Sequence, residues 1–284
     1  MSGAEPGPAD ERRRALLRTA RDVAEDLAAD AVDRDRAGMP PADEAARLRE
    51  AGLPAALTPP GPGRGTDWRT GCAVVQEIAA ADASVGEILA RHYVHTWSGR
   101  FYGPARRAAV LEAETARHQW LWAGAVHGPP SPGDTDGPDL TLTPHGDGHT
   151  VAGRRRVDTA VTVADQFVAD ARCAVTGEVL VVRIPRAARG VSAEPRHDRL
   201  GQRVAGAGSL VLDGVAVAPA HVLGPGRTTR RRPRPSPRSP LRRSASPCAT
   251  SASASWRAPS PRPATWAGTR ASRTRTTTRA RTCC

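Results

Sequence analysis

Residues 140–157 read LTLTPHGDGHTVAGRRRV, and this stretch decides the fold. Leu140 and Leu142 alternate with Thr141 and Thr143, the two-residue period of a strand with one buried face. The run Pro144-His145-Gly146-Asp147-Gly148-His149 supplies a turn, and Val151 to Val157 resumes as a second strand. Downstream, Gln166–Cys173, Glu178–Ile184 and Ser209–Val217 repeat the pattern, divided by Gly, Pro and charged turns. Strands at this spacing predict a compact antiparallel β-barrel or sandwich.

Upstream the period is helical. Leu16, Leu17, Ala20, Val23, Leu27, Ala28 and Val32 recur at helical spacing among Arg, Asp and Glu, which predicts one long amphipathic helix. A second runs from Ala42 to Ala51 with Gly52 as a left-handed cap. Residues 57–67, rich in Pro and Gly, read as loop. A third helix covers Arg69 to Ala81. Ser84 and Glu87 have capping-box spacing and open a fourth helix towards Trp97. A fifth occupies Ala105 to Arg117. Helices first and strands second argue against a doubly wound fold. The expectation is an α+β protein: a helical bundle domain at 9–118, an antiparallel β-barrel domain at 119–225, and a tail at 226–284.

The tail changes the chemistry of the chain. Residues 1–225 hold all 29 acidic residues and 26 arginines, whereas residues 226–284 hold 15 arginines and no Asp or Glu, so the net charge of +12 comes from the tail. Of its 59 residues, 58 are Ala, Pro, Ser, Thr, Arg, Gly, Cys or Trp, and the exception is Leu241. Such a segment lacks the apolar surface to offset the entropy of ordering, which predicts disorder. These are also the residues whose codons carry C or G at the second position. In a GC-rich gene, which the absence of Lys and Asn suits, a shifted reading frame produces this composition. A frameshift is therefore the preferred reading. The alternatives are a solvated basic arm and a nucleic-acid arm, and the last predicts steeply salt-dependent DNA binding.

The near-neutral first 225 residues give no reason to expect a nucleic-acid or membrane partner. The N-terminus is acidic without an apolar core, so it does not read as a signal peptide, and no apolar stretch approaches a membrane span. Cys72 and Cys173, the cysteines before the tail, have neither metal nor disulfide spacing. The expectation is a cytoplasmic protein. His92 and His95 sit three apart on the fourth helix, but no third ligand at suitable spacing accompanies them, so no metal is assigned.

Four blocks carry a resemblance: DRDRAGMPPADEAARLREAGLPAALTPP (33–60), VVQEIAAADASVGEILARHYVHTW (74–97), LTPHGDGHTVAGRRRVDTAVTVADQFVADA (142–171) and LGQRVAGAGSLVLDGVAVAPAHVL (200–223). In this order they resemble the acyl-CoA dehydrogenase family, and more closely its flavin-dependent monooxygenase branch, the dibenzothiophene and sulfone desulfurisation type. The resemblance implies a helical domain, a middle β-barrel and a C-terminal four-helix bundle. It places a flavin, FAD or FMN, between barrel and bundle, and a homotetramer interface on the bundle. That bundle is due where the tail begins, so the resemblance and the codon reading place the break independently at one point. The chain as written is expected to be inactive, or a non-catalytic remnant with exposed apolar surface.

The resemblance also assigns residues. The branch has a Ser-Thr-Gly turn facing the flavin ring; here it is Asp158-Thr159-Ala160, which keeps Thr159 and puts a Cβ where glycine is usual. A Trp-Gly-Asn-Ala-x-Ser-Glu segment bonds the flavin through its Asn and Ser. Here Trp122-Ala123-Gly124-Ala125-Val126-His127-Gly128 keeps Trp122 and loses both polar positions. Gly201, Gln202, Arg203 and Gly208 of the Gly-Gln-Arg motif are retained, while His197 replaces an aromatic and Ala207 a Ser. His92 falls where the branch has a histidine on the substrate side of the isoalloxazine, which makes it the expected catalytic residue, with His95 as the alternative on the same helix. The implied function is a reduced-flavin monooxygenase acting on a small molecule and served by a flavin reductase. The alternative is an acyl-CoA dehydrogenase, whose carboxylate base the acid-free tail lacks.

Overall fold

The computed structural model describes residues 7–58, 66–126, 140–197 and 199–226, all within one compact unit. The tail, and every reading that rests on it, lies outside the described residues, except Gly226.

The predicted first helix is two: α1 (Pro8–Ala28) and α2 (Ala31–Ala37). The chain breaks at Asp30, whose carboxylate takes a 2.8 Å bond from the Arg34 Nε. Arg34 also reaches Glu44 (2.8 Å), the Leu27 carbonyl (2.5 Å) and Asp82 (3.1 Å). A helix continued straight through Asp30 would carry Arg34 past these partners. Helix α3 (Ala42–Glu50) ends as expected, with Gly52 at φ 70°. A 3-10 turn at Leu53–Ala55 follows, ahead of the loop expected at 57–67.

Helix α4 (Trp68–Ala81) begins at Asp67, whose carboxylate accepts from the Thr70 N–H at 2.7 Å. Helix α5 (Ala83–Thr96) is capped by Asp82 and not by Ser84: Asp82 Oδ1 accepts from the Ser84 and Val85 N–H groups at 2.9 and 3.1 Å. Asp82 stands just before the first turn and so meets its unpaired N–H groups, whereas Ser84 already lies inside that turn. The short α6 (Ser98–Tyr102) was not legible in the pattern, and α7 (Ala105–His118) matches the fifth expected helix.

The strands are β1 (Trp122–Ala125), β2 (Leu140–His145), β3 (Gly148–Val157), β4 (Gln166–Cys173), β5 (Val179–Pro185), β6 (Val191–Pro195), β7 (Gly208–Val217) and β8 (Val222–Pro225). They form one eight-stranded sheet in the order β6-β7-β3-β2-β4-β5-β8, with β1 also on β4. This corrects the expected antiparallel barrel in two respects. The sheet is mixed, because β1 and β2 both run parallel to β4, meeting successive parts of one edge at Gln166–Ala169 and at Arg172–Cys173. It is also open. Strand β6 is short and mostly exposed, carries Glu194 and ends in Pro195, features that blunt an edge and stop further pairing.

One core cluster runs from helix residues Leu27, Leu48, Ile78 and Leu89 to sheet residues Val151, Phe167, Ile184 and Leu210. Burying the helical stripe against one sheet face at about 25 cal/mol per Å2 is the main force holding helices to strands. No helix among the described residues is long and apolar enough to cross a membrane.

Candidate functional site

Helix α5 lies along β1, and two histidines face that strand. His92 is fully buried, and both its ring nitrogens are used by backbone groups. Nδ1 accepts the Trp122 N–H at 3.0 Å. Nε2 therefore carries the proton and donates to the Pro54 carbonyl at 2.9 Å. The ring ties α5 to both the 3-10 turn and β1, and burial holds its pKa down at about 4. No nitrogen of His92 is left to face a ligand.

One helical turn on, the His95 ring packs against Gly124. A Cβ at residue 124 would stand 2.8 Å from His95 Cε1 and Nδ1, and 2.6 Å from the Val168 carbonyl. Three helix residues advance about 4.5 Å and two strand residues about 6.6 Å, so successive rings on α5 meet alternate residues of β1. The ring thus lies across the position the resembling segment gives to Asn. His95 is 9% exposed, and burial, with the Arg91 charge, pushes its pKa down to about 4.

The second part of the site joins two distant segments. The turn after β3 is bound to the loop before β7 by the Ala160 N–H to the Ala205 carbonyl and the Val161 N–H to the Gly206 carbonyl, both 2.8 Å. Ala160 sits at φ 56°, Gln202 at φ 50° and Gly206 at φ 67°. Left-handed backbone at non-glycine residues in both of the joined segments is stored strain, a feature of ligand sites. Thr159 is 3% exposed. No described residue bonds its hydroxyl. Arg91 of α5 lies 3.8 Å from Asp158, so the helix that carries the histidines also reaches this turn. Replacing Ala160 with Gly is expected to raise stability by about 1 kcal/mol in urea unfolding, because it relieves the left-handed penalty. A loss of stability would remove the argument from strain.

The other expected residues separate into ring and scaffold. Trp122 buries its indole in a second cluster with Leu111, Val168, Val181 and Leu223, and its Nε1 donates to Thr115 at 2.9 Å. Arg203 anchors the loop to α2 through its N–H and Asp35 at 3.0 Å. Gly208 is required sterically, since a Cβ there would lie 2.2 Å from the Glu194 carbonyl. Gly201 is exposed with open space around it. Arg203 also lines a shallow surface cleft with Met39, Thr162, Arg196 and His197. His127 and Gly128 lie outside the described residues. The sequence did not reveal the Gly124–His95 contact, because it pairs residues that no local pattern connects.

Residues 10–99 match the family model described as acyl-CoA dehydrogenase, N-terminal domain. A relative from Pseudomonas putida named probable FMNH2-dependent monooxygenase SfnC is 29% identical over 215 residues, 74% of this chain and 52% of its own. A dibenzothiophene monooxygenase from Rhodococcus qingshengii is 30% identical over 211 residues, 72% of this chain and 50% of its own. The chain thus spans about half the length of the curated relatives it matches. Among solved structures, FMN-bound TdsC from Paenibacillus sp. A11-2 aligns with a TM-score of 0.67 at 26% identity, covering 75% of this chain and 54% of that one. Residues 10–99 are thus similar to an acyl-CoA dehydrogenase N-terminal domain, and the fold is similar to that of FMN-bound TdsC.

Proposed function

We propose that residues 9–118 and 119–225 are the first two domains of a reduced-flavin monooxygenase that oxidises a small molecule and draws FMNH2 from a flavin reductase. The observation that carries this reading is the pair of backbone bonds from Ala160 and Val161 to Ala205 and Gly206. They bring the Thr159 turn and the Gln202–Gly208 loop, some forty residues apart in the chain, into one strained and preorganised unit. A flavin fits this unit by the chemistry of its donors: an almost buried hydroxyl with no described partner is a group left for a ligand.

A bound reduced flavin supplies the oxygen-activating chemistry, and the protein supplies position and electrostatics. Thr159 offers its hydroxyl to the ring. Gly201, Gln202, Arg203 and Gly208 set the course of the loop that supports the turn. Trp122 and His92 act as positioning residues, holding β1 against α5 through the bond between the Trp122 N–H and the imidazole.

The test is an FMN titration of the purified full chain, read by quenching of flavin fluorescence. Saturable stoichiometric binding is expected, weakened about tenfold in Thr159→Val, equivalent to one lost hydrogen bond of about 1.4 kcal/mol. Flavin fluorescence unaffected by excess protein would overturn the reading.

A further inference from the structure

The two histidines of α5 differ in one decisive respect. His92 has a backbone partner for each ring nitrogen. His95 has none among the described residues, although it is only 9% exposed. Its ring nitrogens are not among the sealed polar atoms of the described residues, so a mostly buried imidazole keeps a polar edge open to water or to a ligand. Its room exists only because residue 124 is glycine, since any Cβ there collides with the ring and with the Val168 carbonyl. Nothing on β1 compensates the imidazole for that burial.

Position supplies the rest of the argument. His95 follows Arg91 by four residues, so the two share one face of α5. Arg91 stands at Asp158, beside Thr159, whose nearly buried side chain has no described partner either. One helix face therefore connects two polar groups that no described residue bonds.

We propose that His95 is a ligand-contacting residue of this site, giving a neutral imidazole donor and acceptor to the polar edge of a bound planar heteroaromatic ring, the flavin. The inference rests on the flavin reading above. The ring is held neutral by its burial first, and then by the positive charge of Arg91 and the neighbouring His92 on the same helix. In this arrangement His92 holds the strand and His95 reads the ligand.

The experiment uses the full chain labelled with 15N-histidine, with wild type, His95→Ala and His95→Gln titrated with FMN. In wild type, the His95 imidazole resonances are expected to move on FMN addition while those of His92 stay in place. His95→Ala should bind FMN about tenfold more weakly, and His95→Gln, which keeps a donor and an acceptor, should recover most of that loss. Wild type that binds FMN with unmoved His95 resonances, or His95→Ala that binds as tightly as wild type, overturns the role of His95 and leaves the flavin reading standing. Wild type that binds no FMN overturns both. If His95→Ala does not fold, the resonances of the wild type decide.

Discussion

Acidification from pH 7 to pH 4 is expected to destabilise this protein by several kcal/mol, through His92 and His95. Both are held near pKa 4 in the folded state by burial, against an ordinary 6.5. In the unfolded chain they take up protons as pH falls below about 6.5, while the folded state resists until about 4. The unfolded state thus binds more protons across this window, and stability falls with pH. The contribution is complete above pH 6.5 and lost on approach to pH 4. A shift of this size corresponds to roughly 3 kcal/mol per histidine, a large share of an ordinary folding free energy of about 5–15 kcal/mol. His221, lowered by burial and by Arg183, acts in the same direction. Asp67, lowered by its bond from Thr70, titrates below its ordinary 3.8 and so outside the window.

The measurement is urea unfolding followed by tryptophan fluorescence at several pH values between 7.5 and 4. His95→Gln should flatten about half of the dependence. A midpoint constant from pH 7 to pH 4.5 would mean that neither histidine is buried as described.

Replacing Arg34 with Met is expected to destabilise the protein by about 3 kcal/mol or more. Its guanidinium serves Asp30, Glu44, Asp82 and the Leu27 carbonyl together. Glu44 is 4% and Asp82 8% exposed, so the substitution leaves two carboxylates buried without their cation. Such uncompensated charge costs far more than the net worth of an intact pair. Asp82 also caps α5, and loosening it frays the helix that carries His92 and His95. The double variant Arg34→Met with Glu44→Gln should recover part of the loss by removing one stranded charge. Thermal unfolding that shifts by less than the equivalent of about 1 kcal/mol would show that the cluster is solvated and of little weight.

Much of this fold was legible where a local period or cap sufficed. The Leu140/Leu142 alternation, the glycine after α3 and the stripe on α5 each follow from geometry within a few residues. The missed elements depend on distant partners. Strand β1 is four residues with no clear alternation, and it exists because β4 takes it in parallel and His92 accepts its first N–H. Strand β6 is mostly exposed and exists through its pairing with β7. The break at Asp30 comes from Arg34 meeting residues of α3 and the α5 cap.

The candidate site divides along the same line. The sequence by itself determined the order of the helices and of the longer strands, because each is a local choice of residue types, whereas the Thr159 turn and the Gly-Gln-Arg loop entered through the family resemblance. Ala160 in place of glycine already announced a strained turn, and its φ of 56° bears that out. Only the tertiary structure decided that the sheet is open and mixed, since closure depends on which strand meets each edge. Only it separated His92 from His95: both are histidines on one face of one helix, and the difference lies in backbone groups from Pro54 and Trp122 that take up the nitrogens of the first and leave the second without a described partner.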